Sequence, residues 1–205
     1  MKKNTYSLIL SENVVSEIDR LAHQLHTNRS SLINRILAEY VSYETPELKT
    51  EKVFDLLSAM LGSNHDFRIM PQPSANVFVL STPLAYKYNP TVRYTVEIFR
   101  TQDDAAGNIK VSLRTRSDAL VETMQQFFRL WSSLDEKGCC SENRFSRMVP
   151  SRQGFEPEEC ARELYDYVQT MDRAMKLFLA GNDENEKIRE QIVRVFGEYS
   201  GKLHE

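Results

Sequence analysis

Residues 5–10 alternate in character. Tyr6, Leu8 and Leu10 fall on one side and Thr5, Ser7 and Ile9 on the other, the period-two pattern of a strand. The period then changes. Val14, Ile18, Leu21, Ala22 and Leu25 recur at three and four residues and predict one stripe of an amphipathic helix. Ser11 is placed to cap it, and Glu12 and Glu17 suit its positive end. His26-Thr27-Asn28 interrupts the period. Leu32, Ile33, Ile36, Leu37 and Tyr40 predict a second helix, with Asn28 as its N-cap. Pro46 suits the first turn of a third, which carries Val53, Leu56, Leu57, Met60 and Leu61 and stops at Gly62.

After a polar stretch at 63–75, strands are expected at 76–80, 91–100 and 109–116. The last two are joined by a hairpin-like loop at 103–108. Val92, Tyr94, Val96, Ile98, Val111 and Leu113 make one apolar face. The other face holds Arg93, Thr95 and Glu97 with Lys110, Ser112, Arg114 and Arg116. The readings that stay open for that second face are a solvated surface of mixed sign, or a second phosphate-contacting surface or anion pocket. Ser117 caps a helix bearing Leu120, Met124, Phe127, Phe128 and Trp131, with Gly138 as its stop. Residues 138–156 read as a loop. Pro157 opens a helix with Leu164, Val168, Met171, Met175 and Phe178, and Asp183 with Glu186 forms a capping box before a last stripe of Ile188, Ile192, Val195, Phe196 and Tyr199. The expected class is α+β: a small N-terminal domain over 1–45, then an α+β domain over 46–205 with a three-stranded antiparallel sheet and several helices.

Composition narrows the functions. The chain has 205 residues, 41% hydrophobic and 27% charged, which is ordinary for a water-soluble protein. No apolar run approaches the roughly 20 residues of a membrane span, and Leu8-Ile9-Leu10 is too short for a signal-peptide core of about 7–15 residues. A cytoplasmic protein without a membrane partner is expected. A net charge of −3 argues against a protein that coats nucleic acid everywhere, but not against a specific reader with a local basic field. Cys139, Cys140 and Cys160 lack zinc spacing and read as reduced thiols, with a thiol-exchange switch as the alternative. His23 and His26 have no carboxylate or cysteine to complete a metal set. No hydrolase, metalloprotease, P-loop or dinucleotide motif occurs, so no catalytic residue, metal or cofactor is expected.

The first 44 residues cannot bury enough surface alone, since domains below about 40–60 residues are marginal without a staple. A lone strand leaves both edges unpaired and invites a second copy. Two copies would make an antiparallel ribbon over four helices, and such a ribbon fits a DNA major groove.

The run from Thr5-Tyr6-Ser7-Leu8-Ile9-Leu10-Ser11 through Ile18-Asp19-Arg20-Leu21-Ala22 to Asn28-Arg29-Ser30-Ser31-Leu32-Ile33-Asn34 and Leu37 resembles the ribbon-helix-helix family of Arc, MetJ and CopG-type repressors. The likeness covers about 40 residues. It implies an intertwined homodimer that places its ribbon in the major groove. It implies base contacts from Thr5, Ser7 and Ile9, and phosphate contacts from Asn28, Arg29 and Ser30 at the second helix start and from Lys2 and Lys3 in the arm. His26 stands in the inter-helix turn where many members carry Gly. Nickel-responsive members bind metal through His and Cys in their C-terminal part. Here His65, His204 and the cysteines show no such pattern, so nickel is not carried over. The resemblance implies a sequence-specific transcriptional repressor bound to double-stranded DNA, with tetramers forming from dimers on adjacent half-sites. A C-terminal domain that oligomerises, senses a ligand or binds a protein would complete it. The alternative is an accessory protein of a mobile element or a toxin–antitoxin system whose C-terminal domain binds another protein.

Overall fold

The computed structural model describes residues 5–63, 66–99, 105–141, 143–151, 156–181 and 186–202. Two compact units divide the chain, Met1–Lys49 and Thr50–Glu205.

The first unit is two helices, α1 (Glu12–Gln24) and α2 (Arg29–Tyr40). Ser11 stands at the N-cap of α1 in extended backbone, but its hydroxyl makes no capping bond. Asn28 does cap α2, its side chain accepting from the Ser31 N–H at 2.9 Å. Both helices end in the same way. His26 takes φ 51° while the Thr27 N–H reaches back to the Ala22 carbonyl at 2.9 Å. Ser42 takes φ 54° while the Tyr43 N–H reaches the Ala38 carbonyl at 2.8 Å. These are Schellman endings, with residues other than glycine in the left-handed position. Residues 5–10 form no strand in the single chain. The period-two expectation fails here for a physical reason: a strand is a ladder of inter-strand hydrogen bonds, and one chain supplies no second strand.

Helix α3 (Pro46–Gly62) leads into the second unit, its start capped by the Thr45 hydroxyl, which accepts from the Leu48 N–H. The sheet there has six antiparallel strands: β1 (Arg68–Ile69), β2 (Val77–Pro83), β3 (Thr91–Ile98), β4 (Ala105–Arg114), β5 (Gly138–Ser141) and β6 (Arg144–Pro150). Their order is β1-β2-β3-β4-β6-β5. Between β4 and β5 runs α4 (Asp118–Leu134); after β6 come α5 (Pro157–Ala180) and α6 (Glu186–Lys202).

Three expectations need correction. The sheet has six strands rather than three. Residues 138–150, expected as loop, hold the hairpin β5–β6. Gly138 begins a strand instead of only stopping a helix; a Cβ there would come within 2.5 Å of the Phe145 ring. The hairpin escaped detection because its inward positions are Phe145, Arg147 and Val149, and an arginine in the middle breaks the apolar alternation. Ala105–Asn108, expected in a loop, belongs to β4. Gly107 is required there, because a Cβ would sit 2.3 Å from the Glu97 carbonyl oxygen. Asp183 of the expected capping box lies outside the described residues.

The core lies on one face of this sheet. Phe78, Leu80, Val92, Tyr94, Val96, Ile109, Val111 and Phe145 point into it. From the helices come Val53 and Leu57 of α3, Phe127, Phe128 and Trp131 of α4, Leu164, Val168 and Met175 of α5, and Ile192 of α6. Trp131 stacks on Phe127 and meets Phe196 edge-on. Each such side chain contributes roughly 1.5–3 kcal/mol on burial. Among the described residues no helix is long and apolar enough to cross a membrane.

Candidate nucleic-acid interface

In the first unit Thr5, Ser7 and Ile9 are all exposed, as are Tyr6, Leu8 and Leu10 on the apolar side of the alternation. The apolar stripe is likewise only partly covered. Ala22, Leu32 and Ala38 are buried, but Val14, Leu21, Leu25, Ile36, Leu37 and Tyr40 stand in solvent. Most exposed large hydrophobics among the described residues lie between Tyr6 and Tyr43.

At the start of α2 the three expected phosphate-binding residues come together. Asn28 spends its side-chain oxygen on the cap, and Ser30 is exposed on the first turn. Arg29 reaches back to α1 and holds Asp19 in a two-pronged pair, Nε to Oδ1 at 2.6 Å and Nη2 to Oδ2. Hydrogen bonding to Arg29 lowers the Asp19 pKa, and Asp19 in turn holds Arg29 more firmly charged. Both are exposed, so solvent screens the pair and its contribution to stability is small. Guanidinium carries five donors, so Arg29 can hold Asp19 and still present Nη1 outward. Lys2 and Lys3 lie outside the described residues.

The second unit contains two polar networks that the sequence did not announce. In one, Arg147, 3% exposed, lies with Nε 3.1 Å from Asp135 and its guanidinium 4.4 Å above the Tyr167 ring. Tyr167 donates to Asp135 at 2.8 Å and accepts from Trp131 at 2.9 Å, and Arg147 donates to the Tyr199 hydroxyl at 3.3 Å. Burial, then the nearby Asp135 charge, pushes the Tyr167 hydroxyl well above its ordinary pKa; burial does the same to Tyr199. In the other, Tyr94 donates to the buried Asp172, which pairs with Lys176 at 2.8 Å; Lys176 also holds Asp66 at 3.0 Å. Burial raises the Asp172 pKa, and Lys176 and Tyr94 offset it only in part. Lys176 is desolvated too, but its two carboxylates outweigh this and raise its pKa.

Asp66, Asp172, Lys176 and Tyr199 line a cleft of about 480 Å³ beside α5 and α6. Lys176 pairs there with Asp66 and Asp172 and Arg173 with Glu198, and among the described lining residues no nucleophile stands beside an activating base. No group of three or more His, Cys, Asp or Glu that could hold a metal occurs among the described residues. Cys139 is exposed, Cys140 half-buried and Cys160 buried in α5. Cys139 and Cys140 follow each other in a strand and point to opposite faces, and burial raises the Cys140 pKa, which keeps it a protonated thiol.

No family model, curated protein or solved structure matches this chain.

Proposed function

We propose that the protein is a sequence-specific DNA-binding regulator, a repressor of the ribbon-helix-helix kind, acting as a homodimer or a dimer of dimers. The observation that supports this most is the uncovered apolar surface of the first unit. Residues 5–10 and the outer parts of the α1 and α2 stripes have no cover in a single chain, and a second copy supplies it. Pairing residues 5–10 with the same segment of the partner would bury Tyr6, Leu8 and Leu10 under the helices. Thr5, Ser7 and Ile9 would then face outward in duplicate, at a width suited to the major groove. The capped start of α2, with its exposed Ser30, offers backbone N–H groups to a phosphate.

Fluorescence anisotropy of the full-length protein on its own upstream DNA and on a scrambled duplex, at two salt concentrations, tests the reading. The expected preference is about 10³-fold or more for the upstream DNA. Arg29→Ala weakens binding to both duplexes and reduces the salt slope, whereas Ser7→Ala changes the preference between them. Equal, weak, salt-sensitive binding to both duplexes would overturn specific recognition and favour an accessory protein whose second unit binds another protein.

A further inference from the structure

Within the second unit the described helices pack on one face of the six-stranded sheet, and the strand residues of the other face are basic. One row of cross-strand neighbours runs across all six strands: Arg68 beside Ser81, Ser81 beside Arg93, Arg93 beside Ser112, Ser112 beside Arg144, and Arg144 beside Ser141. Cross-strand partners share a face. Arg93 lies between the buried Val92 and Tyr94, so this row points away from the core. Arg68, Arg93 and Arg144 are exposed, and among the described residues none of them forms an ion pair. Arg114 adds a cation one pleat along, exposed and likewise without an ion pair among the described residues. Glu97 is the sole acid in the six strands, and Lys110 already pairs with it at 3.3 Å. A chain of net charge −3 has thus gathered unpaired cations on one open surface.

We infer that this open face binds the phosphate backbone of duplex DNA. Strands lie about 4.8 Å apart, so the three arginines stand about 10 Å from one another and span about 19 Å, roughly half a helical turn of DNA. Arginine forks and serine hydroxyls are both common phosphate partners, and here they alternate. Within the six strands the only aromatic residues are Phe78, Tyr94 and Phe145, and all three point into the core. Single-stranded nucleic acid is held largely by stacking on successive aromatic rings, and the strands present no such row. The contact carries no sequence preference of its own. It adds affinity to the recognition proposed for the first unit, and as a role in regulation it rests on that proposal.

The test uses the full chain on the upstream and scrambled duplexes across a salt series. The R93A/R144A pair is expected to weaken binding to both duplexes on the order of 10- to 100-fold at 0.1 M salt and to lower the log–log salt slope by about 1.8 for each protomer whose sheet contacts the DNA. R93K/R144K should retain most of the slope. R189A/R194A, which removes the same charge from exposed positions on α6, should leave it unchanged. The inference is overturned if R93A/R144A matches the unaltered protein or if R189A/R194A does as much damage. The two readings fail separately. A retained upstream preference with no effect of R93A/R144A removes the sheet contact and leaves the ribbon. Salt-sensitive binding without preference, lost in R93A/R144A, removes specific reading by the ribbon and leaves the sheet contact. No binding to either duplex removes both.

Discussion

At His26 the backbone enters the left-handed region, where an ordinary side chain costs about 1–2 kcal/mol and glycine little. Glycine loses more freedom on folding, which returns roughly 0.5–1 kcal/mol of that difference. His26→Gly is therefore expected to stabilise the first unit by about 0.5–1 kcal/mol. Urea unfolding followed by circular dichroism checks it; a lower midpoint would mean that the imidazole has a role the turn does not explain. The turn itself was legible, because His26-Thr27-Asn28 breaks a clear period and Asn28 is a strong cap. The Arg29–Asp19 pair was not. Those two residues are ten apart in sequence, and only the turn at His26 brings them together. The same holds for Arg147, Asp135 and Tyr167, which three elements contribute to one buried group. Single residues of that kind reveal their partners only once the chain has folded.

Helices were easier to read than strands. α3, α4 and α5 were expected almost to their ends, since each repeats its apolar stripe over several turns and has a clear start at Pro46, Ser117 or Pro157. The strands that escaped are short or carry a polar inward residue: β1 has two residues, β5 has four, and β6 turns Arg147 toward the core. Two or four residues hold too little alternation to count, and strand pairing depends on distant partners. Residues 5–10 are the reverse case, where a clear alternation yields no strand in a single chain. That mismatch makes a direct prediction. Leu8, 61% exposed in the single chain, becomes buried in the proposed ribbon. Leu8→Asp should then convert a dimer into a monomer in analytical ultracentrifugation while the second unit stays folded. If the unaltered chain already sediments as a monomer at micromolar concentration, the proposed ribbon is wrong.

For the molecule as a whole, pH acts most strongly through its buried phenols. Tyr94, Tyr167 and Tyr199 all have pKa values pushed above the ordinary value of about 10, burial being the largest cause. An unfolded chain ionises these groups near pH 10, whereas the folded chain does not. The stability they confer is complete below pH 10 and is lost as pH rises above it. Three such groups remove up to about 4 kcal/mol per pH unit, so the second unit should lose stability steeply above pH 10. Absorbance at 295 nm should show these three tyrosines ionising together with the loss of helical circular dichroism. Their titration in a still-folded protein would contradict the packing described. The sheet that holds Tyr94 is guarded at its margins, since its outermost strands β1 and β5 are only two and four residues long and give a foreign strand little to pair with. Residues 5–10 have no such protection. They are uncharged, contain no proline, favour extended backbone and stand exposed, which is the profile of a segment that nucleates cross-β fibres. In the proposed dimer, pairing of this hexapeptide with a second copy would occupy its free edge and so would double as a safeguard against fibre formation.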